Sequence, residues 1–197
     1  MSRIEPLPIR EWPPQMRDAL AAMLPPEPRY GRPESDGRPG SRNTLGTFAH
    51  HPALARAFLT FNGHILMATT LSERQRELLV MRVSAKRQCG YEWAQHVFMA
   101  RDAGLDDEEI SRIAYGPDAP MWSEQEAALL RAVDELIDEG TITQSTWDVL
   151  ARDLEPQQLL DVVFTVGAYE TIAFLMNAFD LDIDDDIPEL FERSRRR

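Results

Sequence analysis

Cys89, Glu92 and His96 stand at positions i, i+3 and i+7. At about 100° per residue, a helix gathers all three within a sector roughly 60° wide. A thiol, a carboxyl group and an imidazole then line one stripe, which is costly to bury unless the groups serve one another. The chemistry such a stripe offers is proton transfer, with His96 as base or relay, or attack by sulfur. A cysteine at a helix start is favoured as thiolate by backbone N–H groups and the positive dipole end, and Lys86 and Arg87 are expected to push the same way. Glu77 lies in the apolar stretch Arg76-Glu-Leu-Leu-Val-Met81 just upstream. A hairpin of two helices would bring it against Cys89 and His96, where burial would raise its pKa toward neutrality. An ion pair of Glu77 with Arg74 or Arg82 is the competing expectation, and spacing does not choose between them.

Each of these residues also has a plainer role open to it. A lone cysteine is usually a small buried hydrophobe, and as the only one in the chain Cys89 forms no intrachain disulfide. Tyr91, Trp93, Phe98 and Met99 could line an apolar cavity or simply fill a core. Glu92 and His96 could give a metal two ligands from one helix. A third would have to come from His50, His51 or His64, so neither a metal nor a cofactor is expected. His50-His51-Pro52 reads as a helix start, with His50 able to face the pocket.

The elements that must position this stripe read as helices throughout. Pro13 and Pro14 precede a short helix over Met16–Leu24. Residues 25–43 contain five prolines and three glycines, a density that leaves no regular element. They are expected to form an arm or lid. His51-Pro52 opens a helix with Leu54, Phe58, Phe61 and Ile65 at helical spacing. Ser72 with Gln75, Asp106 with Glu109 and Ser123 with Glu126 are capping-box pairs. Gly104 ends the helix that begins near Gly90. Thr143 is placed to cap a further helix, and Pro156 opens a long apolar one reaching about Phe179. No strand alternation of useful length occurs, so the fold class is all-α.

The pattern Glu77, Cys89, His96 resembles the alkylhydroperoxidase D proteins and the carboxymuconolactone decarboxylase family related to them. In those proteins a Glu precedes the first Cys of Cys-x-x-Cys by twelve residues, and a His follows that Cys by seven. Leu71-Ser-Glu-Arg-Gln-Arg-Glu-Leu78 and Ala103-Gly-Leu-Asp-Asp-Glu-Glu-Ile110 look like the same family. The likeness is densest over residues 50–115. It implies an alkylhydroperoxidase D-like helical bundle: an N-terminal helix and arm over 1–46, the helical domain over 47–183, and an acidic-to-basic tail over 184–197. It also implies a homo-oligomer, a trimer or hexamer, in keeping with the apolar stretch Leu159–Phe179. One position departs from the pattern: Glu92 replaces the second cysteine, so a disulfide cycle within one site is impossible.

The resemblance implies acid–base chemistry, a proton transfer or decarboxylation, on a small organic acid or lactone. Cys89, His96, Glu77 and Glu92 are the expected catalytic groups, and Tyr91, Trp93, His50 and Arg82 the expected substrate contacts. The alternatives are a one-cysteine hydroperoxidase with Cys89 as the peroxidatic thiol, and a non-catalytic small-molecule binder. A net charge of −12 disfavours nucleic acid, the basic tail of Arg193 and Arg195–Arg197 apart. No membrane span and no secretory leader are read from the sequence, so cytoplasm is the expected location.

Overall fold

The computed structural model describes residues 2–31 and 38–189. Among these residues there is no strand, and the all-α expectation holds. The chain divides into two compact units, one of residues 69–174 and one of residues 1–68 with 175–197.

In the discontinuous unit, a 3-10 turn over Ile9–Glu11 leads into α1 (Gln15–Ala21), α2 (Arg42–Phe48) and α3 (Pro52–Met67). The His51 ring nitrogen accepts from Leu54 N at 3.3 Å and Pro52 opens the helix, as the sequence suggests. The phase of α3 differs from expectation in part. Its buried residues are Ala55, Leu59, Gly63, Ile65, Leu66 and Met67, so Ile65 is buried as expected, while Leu54 is exposed and Phe58 and Phe61 are half-buried. Small residues face inward because backbone comes close. A Cβ on Gly63 would sit 1.9 Å from the Met23 carbonyl oxygen, and one on Gly46 would sit 2.6 Å from that of Leu7. Side-chain hydrophobicity alone mistakes such a packing stripe for the weaker face.

The helix α2 is a second departure. It starts inside the stretch expected to be irregular, behind Ser41 in the left-handed region (φ 49°), and the Ser41 side chain does not cap it. Asp184 does so from far along the chain, accepting Arg42 N at 3.1 Å and Asn43 N at 2.8 Å. Upstream, Arg29 N and Tyr30 N both donate to the Met67 carbonyl, at 2.6 and 3.0 Å. The centre of the expected arm, residues 32–37, and the basic tail lie outside the described residues.

The continuous unit holds α4 (Glu73–Lys86), α5 (Gly90–Asp102), α6 (Asp107–Ile113), α7 (Glu124–Glu139), α8 (Gln144–Asp153) and most of α9 (Pro156–Ala178). All three capping boxes form, at Ser72/Gln75, Asp106/Glu109 and Ser123/Glu126. Gly104 follows α5 with φ 84°, where glycine costs nothing. Thr143 departs from its expected role. Its side chain makes no cap bond, and its Oγ1 donates instead to Glu135 at 2.8 Å. Arg74 on α4 binds Glu126 at 2.8 Å and Glu109, joining the starts of α6 and α7 to α4.

The long apolar helix expected from Pro156 forms as α9. By length and composition it could cross a membrane, with a mean hydropathy of 1.6 over its most apolar window. Half of that window is buried inside the protein. Its inward face carries Asp161, which accepts Thr70 N and Thr70 Oγ1 at 2.6 Å each, and Tyr169. Those are features of a core helix.

Candidate active site

Cys89 is the N-cap residue of α5, so the sulfur sits at the helix start as its position suggests. Glu92 and His96 follow on the same face, and both are buried. Glu77 projects from the middle of α4, where the surrounding Leu78, Leu79, Val80 and Met81 are fully buried. The packing of α4 against α5 brings Glu77 Oε2 to 2.8 Å from His96 Nδ1. Arg76, the residue before Glu77, donates from Nε to Oε1 at 2.9 Å. The two Glu77 oxygens thus have one cationic or N–H partner each.

Of the two expectations for Glu77, this arrangement favours the ion pair over a raised pKa. Burial works to raise its pKa, but the His96 ring and the Arg76 guanidinium outweigh it and hold the carboxyl below its ordinary value. Glu77 is therefore anionic at neutral pH, and Nδ1 of His96 must carry the proton it donates. That leaves Nε2 as the nitrogen able to accept a proton. The partner is Arg76, not Arg74 or Arg82. The His96 side chain keeps about 10% of its surface exposed and that of Glu77 none, so His96 is the member of the pair that can meet a substrate.

Glu92 is in the opposite state. It is 1% exposed, and neither carboxyl oxygen has a hydrogen-bond partner among the described residues. Burial, and then the charge of Glu77, drive its pKa well above the carboxylate range. An unpaired carboxylate in such surroundings would cost far more than a neutral acid, so Glu92 keeps its proton.

Cys89 also departs from expectation. Burial pushes the thiol up to about 11, and Glu92 adds to the rise. Backbone N–H groups of Glu92 and Tyr91 offset only part of it. Nor do Lys86 and Arg87 favour a thiolate: Lys86 binds Asp138 at 2.6 Å, and Arg87 pairs with Glu170 while its guanidinium lies over the Phe174 ring.

The other expected contacts separate. Trp93, on the Cys89–His96 side of α5 by helical spacing, is half-buried. Tyr91 is buried, but the helix period carries it off the stripe. Arg82, expected as a substrate contact, is engaged within the fold. It holds Asp134 through two bonds of 2.7 Å and donates to the carbonyls of Ile113 and Ala114, so its hydrogen-bonding capacity serves the fold. His50 is exposed in the other unit, with Nε2 3.0 Å from the Glu5 carbonyl. Among the described residues no group of three His, Cys, Asp or Glu side chains is arranged to hold a metal.

Two neighbours were not singled out from sequence. Arg76 is one, and a buried arginine inside an apolar helical stretch was the available signal. Tyr169 is the other. Its ring meets that of His96 edge-on, with centroids 5.0 Å apart and planes at 87°. Burial first, and then the charge of Glu77, raise its pKa well above the ordinary phenol value, so it too stays protonated. Thr165, one turn earlier on α9, is fully buried with no partner for Oγ1.

The helical architecture places the protein among known folds. It superposes on the debrominase Bmp8, both apo and as a cysteine-to-alanine variant in complex with 2,3,4-tribromopyrrole. For the complex the TM-score is 0.72, with 15% identity and 96% of each chain covered. It also superposes on a peroxidase-related protein with an alkylhydroperoxidase AhpD core from Ralstonia eutropha JMP134 (TM-score 0.66, 19% identity, 83% of this chain and 96% of that one). A peroxidase-related protein from Silicibacter sp. TM1040 is similar (TM-score 0.65, 17% identity, 74% and 78% covered). The fold is AhpD-like. A sequence model of the carboxymuconolactone decarboxylase family matches residues 52–135 of this chain. No curated protein matches.

Proposed function

We propose that the protein is a proton-transfer enzyme acting on a small organic acid or lactone, with His96 as the base that Glu77 orients and Glu92 as a neutral acid. The observation that carries this reading is the 2.8 Å bond from His96 Nδ1 to an ionised Glu77, which fixes the tautomer and turns Nε2 into the accepting nitrogen. Removing a proton, or CO₂, from a carbon next to a carbonyl leaves an electron pair on the substrate, and a neutral acid at hand is then useful. Trp93 supplies an apolar wall beside His96. The test is deuterium wash-in and CO₂ release over a panel of β-keto acids and unsaturated lactones, followed by nuclear magnetic resonance. Wild type should exchange or decarboxylate at least one member, and His96→Ala should not. Equal rates in the two would refute the assignment.

The second reading is thiol chemistry at Cys89, as in a one-cysteine hydroperoxidase. The helix-start position of the sulfur favours it, as does the likeness to peroxidase-related proteins and to a debrominase crystallised as a cysteine variant. The raised thiol pKa weighs against it. Stoichiometric peroxide followed by mass spectrometry for sulfenic acid at Cys89 distinguishes the two. The outward face of α9, with Leu160, Phe164 and Phe174 exposed, supports assembly as a homo-oligomer, a trimer or hexamer, which light scattering would test.

A further inference from the structure

We propose that Glu92 and Tyr169 together form a site for a substrate oxyanion, which narrows the substrate to an enolisable carbonyl compound whose reaction passes through an enolate. This rests on the proton-transfer reading and deepens it. Two observations point to a missing partner. Glu92 is almost wholly buried, yet both its oxygens lack hydrogen bonds, a state a native fold rarely tolerates without a role. Tyr169 reaches the same place from a different helix. It packs edge-on against His96, which lies one helical turn beyond Glu92 on the same face of α5. Since neither Glu92 oxygen has a partner, Glu92 and Tyr169 do not bond each other, and the Glu92 O–H is left for a third group.

Both donors are neutral. An anion forming between them meets O–H dipoles already desolvated and aimed, and such dipoles stabilise charge far better than water does. A protonated carboxylic acid paired with a tyrosine is a known physical solution to enolate stabilisation. The step balances without any co-reactant. His96 Nε2 takes a proton from the carbon beside the carbonyl: the C–H bond breaks, an N–H bond forms, and the electron pair moves onto the carbonyl oxygen. Glu92 and Tyr169 donate to that oxygen. The imidazolium then returns the proton to carbon. For a β-keto acid His96 Nε2 takes the carboxyl proton instead, the C–CO₂ bond breaks, its electron pair moves onto the carbonyl oxygen as CO₂ leaves, and the imidazolium then delivers that proton to the carbon. Thr165, on the Tyr169 face of α9, is a third buried hydroxyl able to join.

The probe is 4-nitrophenol, a planar, delocalised oxyanion when ionised, which binds without turnover. Calorimetry gives its affinity, and absorbance gives its bound ionisation state. Wild type should bind the phenolate saturably, Glu92→Leu and Tyr169→Phe should each weaken it at least tenfold, and His96→Ala should change it only a few-fold. No saturable binding, binding of the neutral phenol, or an unchanged affinity in either Glu92→Leu or Tyr169→Phe overturns the proposal. Melting temperatures of both variants at or near wild type establish that a loss is local. Because no reaction is followed, failure here is distinct from failure of His96→Ala to abolish exchange.

Discussion

The His96 imidazole and the Glu77 carboxylate are joined by a 2.8 Å hydrogen bond across the α4–α5 packing, in a place where Glu77 has no exposed surface. In the proposed reaction the pair divides labour: the carboxylate sets the tautomer, and the ring is the member placed to meet the substrate. Glu77→Gln keeps the shape but loses the charge, and can present the wrong group to Nδ1. On any substrate found by the exchange screen, kcat should fall about 10²–10⁴-fold, with KM little changed. An unaltered kcat in Glu77→Gln would remove the orienting role.

Stability should depend on pH through two carboxyl groups of opposite sense. The folded pKa of Glu77 is depressed, so its contribution is complete above the unfolded value of 4.5 and is lost as pH falls through the folded one. The folded pKa of Glu92 is raised, so its contribution is complete below 4.5 and declines as pH rises toward the folded value, by about 1.4 kcal/mol per unit while that group alone titrates. Denaturant unfolding from pH 5 to 9 should therefore show a downward slope that Glu92→Gln flattens. An identical slope in that variant would show Glu92 ionised in the fold.

Cys89 should resist alkylation. With the thiol raised to about 11, iodoacetamide at pH 7 should label the folded protein far more slowly than the same protein in denaturant, and the folded rate should still climb above pH 9. Fast labelling with a midpoint below pH 8 would instead mark a reactive thiolate and favour the peroxide reading.

Arg82→Ala should destabilise by about 3–5 kcal/mol, since it strands Asp134 and two carbonyl oxygens in largely buried surroundings. Any substrate KM should be unchanged once the variant is held folded at low temperature. A selective rise in KM would restore Arg82 to the binding site.

Gly63→Ala should lower the melting temperature sharply, because the contact at 1.9 Å is with backbone and cannot be relieved by a rotamer. Gly167→Ala, in the interior of α9 with nothing within 4 Å of the new methyl, should raise stability by about 0.5–1 kcal/mol. Equal melting temperatures for the two variants would contradict the close approach at Met23.

Features that depend on neighbours in sequence were legible from the chain. The three capping boxes, Gly104 after α5 and the Cys89–Glu92–His96 stripe each follow from spacing of seven residues or fewer, and each formed. What escaped depends on distant partners. The start of α2 is capped by Asp184, about 140 residues away, and no local signal announces it. The phase of α3 is set by backbone contact at Gly63. The ionisation of Glu77, Glu92 and Cys89 turns on which cation reaches which carboxyl group, and spacing showed only that they share a neighbourhood. Arg76 took Glu77, while Arg74 and Arg82 went to other acids. Tyr169 was hidden because a polar tip in a long apolar helix reads as filler.

Arg74 has a wider reach than an ordinary ion pair. It touches Glu109 and Glu126, which are themselves members of the capping boxes that begin α6 and α7, and it donates to the carbonyl of Gly104 where α5 ends. One guanidinium thus acts as a keystone for three helix termini, and these helices should open together rather than fray singly. Native-state hydrogen exchange would find the first turns of α6 and α7 sharing one opening free energy, and severing that keystone would let each terminus breathe on its own.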